Sequence, residues 1–265
     1  MKDWRVLLAE ACERAQTAVS KHTSPAERAR IVGTGAAGDR TLAADRDAER
    51  EILDSLSEAG PLRVVSEEAG ALGDRHASLT AIVDPLDGSS NFSRGIPFYC
   101  TSIAIVDGRR MRDVRYAMVR NLVTGEEYYS ERGAGSWKDG RAIRTSSARR
   151  LSESVVGIDL NGTSEADINR LAPLLSSVKR QVHFGANALE LCLLAEGRVD
   201  AFVDKRGKMR VTDFAGGYLI AREAGGTLSA PDGKQLAPAL DLQARFDYVA
   251  SANETIHRAI LEKLR

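Results

Sequence analysis

The sequence predicts an α/β protein of the layered α+β kind, in which helix and sheet layers alternate. Three observations predict it. Apolar runs of strand length and stretches of helical period alternate through both halves of the chain. Apolar residues make up 43% of the 265 residues, enough for a substantial core and against long disorder. No internal repeat, low-complexity tract or proline-rich linker interrupts the pattern. Two lobes, residues 1–150 and 151–265, are therefore expected to pack tightly, with a seam near residue 150.

Residues 2–20 set Trp4, Leu7, Leu8, Ala11, Cys12, Ala15 and Val19 at helical spacing and predict an amphipathic helix. "IVGTGAAGDRT" (31–41) is rich in glycine and predicts a mobile loop. From Leu42, "AADRDAEREILDSL" returns to helical period and should end before Gly60-Pro61. "LRVVSEE" and "LTAIVDPLDG" predict short buried strands, each running into acids. Between residues 100 and 131, "CTSIAIVDG", "VRYAMVR" and "EEYYSER" alternate with turn signals, as an antiparallel meander does. "GAGSWKDGRAI" predicts a hairpin about Asp139-Gly140. Past residue 150, "SVVGIDL", "RQVHFG", "RVDAFVD" and "FDYVASA" predict strands. "EADINRLAPLLSSV", "ANALELCLLAEG", "VTDFAGGYLIAREAG" and "NETIHRAILEKL" predict helices, the last with Asn253 as its N-cap.

Charge narrows the function classes. Lys+Arg and Asp+Glu are equal at 37 each, so no basic excess points to nucleic acid or an anionic membrane as partner. The first residues, "MKDWRVLLAEACERAQ", are broken by Asp3, Arg5, Glu10, Glu13 and Arg14, unlike a signal peptide's apolar core. Cys12, Cys100 and Cys192 are far apart in apolar surroundings and read as buried thiols, not as a metal cluster or redox pair. The expectation is a soluble cytoplasmic protein.

Acids recur where apolar elements begin or end: Asp39, the Glu67-Glu68 pair, Asp84 with Asp87, and Asp213. Each has a plain structural reading taken singly. Asp39 could be a loop acid, Glu67-Glu68 a solvated strand end, the D-G-S stretch a simple turn, and Asp213 an N-cap. Together they fit a hard divalent cation such as Mg²⁺, which takes oxygen ligands. Packing several carboxylates close together is costly unless a cation neutralises them. In "DPLDG" the proline fixes a turn, so that Asp84, Asp87 and the Leu86 carbonyl can face the same ions. Gly88-Ser89-Ser90 then opens a helical turn whose free N–H groups and hydroxyls suit a phosphate. Metal-assisted phosphate-ester chemistry is the favoured reading, although spacing alone does not bring these acids to one place.

The order "SEEAG", "DPLDGSSNF", "TDFAGGYLIAREAGG" resembles the inositol monophosphatase family across nearly the whole chain. That resemblance implies the sugar-phosphatase fold and a Mg²⁺-dependent, lithium-sensitive phosphatase. "GAAGDRT", "GIPFY", "FGANALELC" and "DKRGKMRVTD" are similar to the archaeal-type members that act on both inositol monophosphate and fructose 1,6-bisphosphate. Carried over by the resemblance, Glu67, Asp84, Asp87, Asp213 and the Leu86 carbonyl would be metal ligands. Asp39 would help hold a further, weaker ion, for roughly two to three Mg²⁺ per site. Glu68 and Ser89, with Asp39, would act on the attacking water, and Gly88, Ser89 and Ser90 would cradle the phosphate. Gly185, Ala186, Asn187, Glu190 and Asp204 would lie on the substrate side. Arg206, Lys208 and Arg210 would supply counter-charge for a second phosphate, or form a solvated basic loop. Gly38 and Thr212 stand where the family often has Lys and Trp, and Ser89 where it often has Thr.

The resemblance implies a phosphorylated sugar or inositol as substrate, in-line attack by water without a phosphoenzyme, and a homodimer or homotetramer. The rival readings are a 3′(2′),5′-bisphosphate nucleotidase or NADP phosphatase of the same superfamily, and a non-catalytic phosphosugar or metal sensor. Low aromatic content, 5%, supplies no evident platform for stacking a base.

Overall fold

The computed structural model describes residues 3–265. Lys2, the first residue of the predicted 2–20 helix, lies outside them. In chain order the elements of the first half are α1 (Trp4–Val19), α2 (Pro25–Arg28), β1 (Ile31–Thr34), β2 (Arg40–Leu42), α3 (Ala43–Ser57), β3 (Arg63–Ser66), β4 (Gly70–Gly73), β5 (Leu79–Asp87), α4 (Ser89–Arg94), β6 (Cys100–Asp107), β7 (Val114–Asn121), β8 (Glu127–Glu131), β9 (Gly135–Lys138) and β10 (Arg141–Ala142). There follow β11 (Val155–Asp159), α5 (Glu165–Leu175), β12 (Arg180–Val182), α6 (Asn187–Ala195), β13 (Ala201–Met209), α7 (Thr212–Glu223), β14 (Thr227–Ser229), β15 (Phe246–Ser251) and α8 (Glu254–Lys263).

Eight strands form one sheet in the order β10-β9-β8-β7-β6-β5-β3-β4, and five form a second in the order β12-β11-β13-β15-β14. In the larger sheet only β3 and β5 run parallel, with Arg63 opposite Thr80 and Ser66 opposite Val83. Alternation along the strands then dictates the layers, because successive side chains point to opposite faces. Ala81, Val83, Ile103 and Ile105 pack with Leu8, Ala11, Ala48 and Ile52 of α1 and α3. Ile82, Ala104 and Val106 face the other way, onto Leu189 and Leu191 of α6 and Phe214 and Leu219 of α7. Phe202, Tyr248 and Ala250 of the smaller sheet close on the same helices from the far side. Val203 and Val249, their neighbours in sequence, pack outward on Leu171 and Leu174 of α5 and Ile256 and Ile260 of α8. The result is helix–sheet–helix–sheet–helix, with α6 and α7 buried between two sheets.

Local signals place the helices. Asp3 caps α1 by accepting from Arg5 N and Val6 N, and Asn253 caps α8 by accepting from Thr255 N and Ile256 N, as its sequence predicts. The predicted hairpin forms at Asp139 and Gly140, where φ is 47° and 76° and the mirror-image turn is required. Two expectations and one rival reading are corrected. The stretch 31–41 is not an open loop: β1 and β2 pair antiparallel, and Ala36 N and Ala37 N donate to Glu68 O and Glu67 O. Ile31 and Thr34 pair across to Leu42 and Arg40 despite the glycines between them. Asp213 is not an N-cap, since α7 begins at Thr212 after Val211. Asp204 does not end its strand, because β13 runs on to Met209. No described helix is long and apolar enough to cross a membrane. All three cysteines are buried and free.

Candidate metal and phosphate site

Four acid-bearing chain segments, with Gly185 from a fifth, meet at one cavity of about 590 Å³. The parallel pair β3 and β5 delivers the first two, because their C-terminal ends lie side by side, with Glu67 N donating to Val83 O. Glu67 and Glu68 follow β3, and Asp84 and Asp87 end β5. Pairing of β5 with β6 is interrupted between Asp84 and Asp87, so the strand bulges there. That irregularity lets both carboxylates line the same cavity although their positions are three apart. The start of α7 supplies Asp213, and the turn between β1 and β2 supplies Asp39.

Glu67, Asp84 and Asp213 each offer an oxygen, and those oxygens all lie within 4.8 Å of one another. Burial raises the pKa of Glu67, Asp84 and Asp87 well above their ordinary values and raises that of Asp213 as well, against the charge of Arg210. Repulsion from neighbouring acids adds to burial: Asp213 acts on Glu67, Glu67 on Asp84, and Asp213 on Asp87. Such a set resists ionisation until a cation arrives, and its donors are the hard oxygens that divalent cations take. The residues therefore fit a metal. Asp84 Oδ1 also accepts from Leu86 N at 3.1 Å, and Asp87 Oδ2 accepts from Ala188 N at 2.7 Å, tying the bulge to α6.

Beyond Asp87 the chain turns at Gly88, whose φ is 89°. A side chain there would lie 3.0 Å from Phe98 O and 3.1 Å from Ala186 Cβ, so both the conformation and the close packing call for glycine. Ser89 and Ser90 then open α4 on the cavity wall, beside Leu86, Glu68 and Gly185. Glu68 accepts from the Thr41 hydroxyl, and burial raises its pKa.

A neighbouring cavity of about 630 Å³ shares Ser90, Gly185, Arg210 and Asp213 with the first and adds Asn187, Arg206 and Lys208. The remaining substrate-side candidates line neither cavity. Ala186 is buried behind Gly88, and Glu190 is buried where its Oε1 accepts from Phe184 N and Gly185 N at 2.5 and 2.7 Å. Asp204 is fully buried, and both its oxygens accept from Arg206.

The three basic residues are unequal. Arg206 also reaches Asp159 Oδ2 at 2.6 Å, so two carboxylates already offset its charge. Arg210 donates to Glu67 Oε1 at 2.5 Å and to Asp39. Lys208 donates only to Gly162 O, at 3.4 Å, and carries the least compensated charge of the three.

Sequence reasoning missed Asp45 and Thr41. Asp45 lines the acid cavity, and its carboxyl is pushed up to about 7 by burial and by the charges of Glu68 and Glu49, against the donation from Leu42 N. In "AADRDAERE" it looks like any acid in a helix's first turn. It also missed His183, which sits 3.2 Å from Glu190 Oε1 and lines the second cavity. An isolated histidine before Phe184 carried no signal.

The sequence model of the inositol monophosphatase family matches residues 2–265. A fructose-1,6-bisphosphatase/inositol-1-monophosphatase of Methanothermobacter thermautotrophicus is 33% identical, covering 98% of this chain and 96% of its own. The protein of the same name from Archaeoglobus fulgidus is 37% identical over 90% of this chain and 89% of its own. Among solved structures, the MJ0109 gene product, an inositol monophosphatase–fructose 1,6-bisphosphatase, superposes with a TM-score of 0.89 at 27% identity, covering 99% of this chain and all of that one.

Proposed function

The chain belongs to the inositol monophosphatase family, and from that premise we propose that it is a Mg²⁺-dependent phosphomonoesterase hydrolysing inositol 1-phosphate, fructose 1,6-bisphosphate or both. One observation carries the reading: Glu67, Asp84 and Asp213 bring oxygens within 4.8 Å of one another in the cavity that Gly88, Ser89 and Ser90 also line.

Glu67, Asp84, Asp87, Asp213 and the Leu86 carbonyl are the residues that would hold two to three Mg²⁺, with Asp39 assisting at the weakest. Bound there, the metal would acidify water and polarise the phosphoryl group. The chain's own residues do the rest. The backbone N–H groups and hydroxyls of Gly88, Ser89 and Ser90 hold phosphate oxygens in line with the attacking water. Glu68, raised in proton affinity by burial and oriented by Thr41, takes that water's proton, helped by the Ser89 hydroxyl and Asp39. Direct attack leaves no phosphoenzyme. The leaving sugar lies in the second cavity against Gly185 and Asn187, with Lys208 and Arg210 offering charge to any second phosphate. Ala186, Glu190 and Asp204 act behind this surface: Glu190 holds the 184–185 turn and Asp204 holds Arg206.

We read residues 1–150 and 151–265 as two lobes that share this site, in a cytoplasmic homodimer or homotetramer. The test is phosphate release from inositol 1-phosphate, fructose 1,6-bisphosphate, adenosine 3′,5′-bisphosphate and NADP across a Mg²⁺ titration, repeated with Li⁺. Mg²⁺-stimulated turnover of the first two supports the reading. Preference for either nucleotide would move it to the nucleotidase branch, and no stimulated release at all would sink it.

A further inference from the structure

The strands that end in the acid cavity begin at another. A cavity of about 780 Å³ is lined by Arg63, the first residue of β3, Thr80, the second of β5, and by Arg75, His76, Arg109 and Asp241. It shares no residue with either cavity of the candidate site. Its size is that of a small-molecule site.

Three arginines face a single carboxylate, Asp241, in this lining, so positive charge is in excess. Among the described residues no carboxylate lies within 4.0 Å of the Arg63, Arg75 or Arg109 guanidinium; the pairs nearby in sequence are Arg112–Asp113 and Arg115–Asp107. The nearby acids keep their charge but turn an oxygen to backbone amides and make no ion pair with the three arginines. Asp241 Oδ1 accepts from Gln243 N and Ala244 N, Asp74 Oδ1 from His76 N, and Asp113 Oδ2 from Arg109 N and Arg110 N. The caps made by Asp74 and Asp113 also stiffen the two turns that present Arg75 and Arg109, while Arg63 is held in β3. Gly108 carries no side chain because a Cβ there would come within 2.5 Å of Asp113 Oδ2, so the Arg109 turn is closely fitted. Arg75 Nε donates to His76 Nε2 at 3.3 Å, which sets the imidazole beside the same opening.

Guanidinium forks match phosphate oxygens, and several around one concavity favour a ligand with more than one anionic group. A smaller cavity of about 310 Å³ shares Arg109 and adds Arg110 and Arg112, giving a second phosphate somewhere to go. No Phe, Tyr or Trp lines either cavity, so the small His76 ring is the one surface there on which a base could stack. We propose that this basic cavity is a second anion site, separate from the acid cavity, for a small molecule bearing two or more phosphate groups.

The test is titration of the EDTA-dialysed protein with inorganic pyrophosphate by calorimetry at low salt, where the acid cavity holds no cation to attract phosphate. One pyrophosphate per chain is expected, with Kd below about 1 mM. Arg75→Ala/Arg109→Ala should weaken it at least about tenfold, Arg75→Lys/Arg109→Lys should restore part of it, and Arg210→Gln should leave it unchanged. Both mutated arginines are exposed and outside any ion pair, and circular dichroism verifies the fold. Absence of binding overturns the proposal. So does binding that survives the double alanine variant, or that disappears in Arg210→Gln.

Discussion

Arg210 Nη1 donates to Glu67 Oε1 at 2.5 Å while its Nη2 donates to Asp39, joining residues 143 and 171 positions away in sequence. A guanidinium thus binds the carboxylate of Glu67, one of the three acids that could hold a metal. Its competition should be measurable. Arg210→Gln is expected to lower the Mg²⁺ concentration for half-maximal turnover by about 3–10-fold. In EDTA the same variant should melt several degrees lower, because the acids lose a cation that pairs with two of them. An unchanged Mg²⁺ dependence together with an unchanged Tm would refute this role.

Asp87 links the acid cavity to α6 through Ala188 N. Asp87→Asn keeps the side chain's shape and an oxygen for that bond while removing the charge. Turnover should fall by at least about 10³-fold, with Tm in EDTA equal to or above that of the parent, since a repelled buried charge is gone. Retained turnover in a folded variant would disprove the assignment of Asp87.

Helices α6 and α7 approach each other through Gly217. A Cβ at that position would lie 2.7 Å from Leu191 Cβ and 2.9 Å from Ala188 O. Gly217→Ala should therefore cost about 1–3 kcal/mol in urea unfolding despite its gain of up to about 1 kcal/mol in helix propensity. Turnover should fall too, because α7 carries Asp213 and α6 holds Asp87. A stabilised, fully active variant would show that the helices can part without cost.

Asp45 predicts a pH effect in the metal-free protein. Its carboxyl is raised from 3.8 to about 7 on folding. Between those values the folded chain keeps a proton that the unfolded chain has lost, so the stabilisation is complete below 3.8 and disappears as pH rises through about 7. Asp45→Asn removes the dependence. Relative to the parent, it should gain about 1–3 kcal/mol in urea unfolding with EDTA between pH 5 and pH 8. Parallel stability curves for the two proteins would contradict the raised pKa.

Much of this was legible because the motifs are local. In "DPLDGSS" the acids, the glycine and the hydroxyls are neighbours in sequence, and the bulge that unites them spans only residues 84–87. The layers were legible for a similar reason: alternate residues in Ala81-Ile82-Val83 go to opposite faces, and that period is written in the chain. Less legible were effects that depend on partners remote in sequence. Nothing around Asp204 announces that Arg206 will occupy both its oxygens, or that Asp159 will join them from another strand. Short β1, β2 and β4 carry too few apolar residues to stand out. They exist through pairing, as Gly70–Gly73 does against β3.

Sequence by itself determined which residues could do chemistry and in which elements they sit, because residue type, turn chemistry and periodicity act over a few positions. Tertiary structure alone decided which of them meet. The parallel β3–β5 pair sets Glu67 beside Asp84, packing of α7 between the sheets brings Asp213 to them, and Arg210 reaches back across the chain to bind two of the acids. The electrostatic state of the cluster was also decided there. A carboxylate's proton affinity depends on the charges and burial around it, and those exist only once distant segments have packed together.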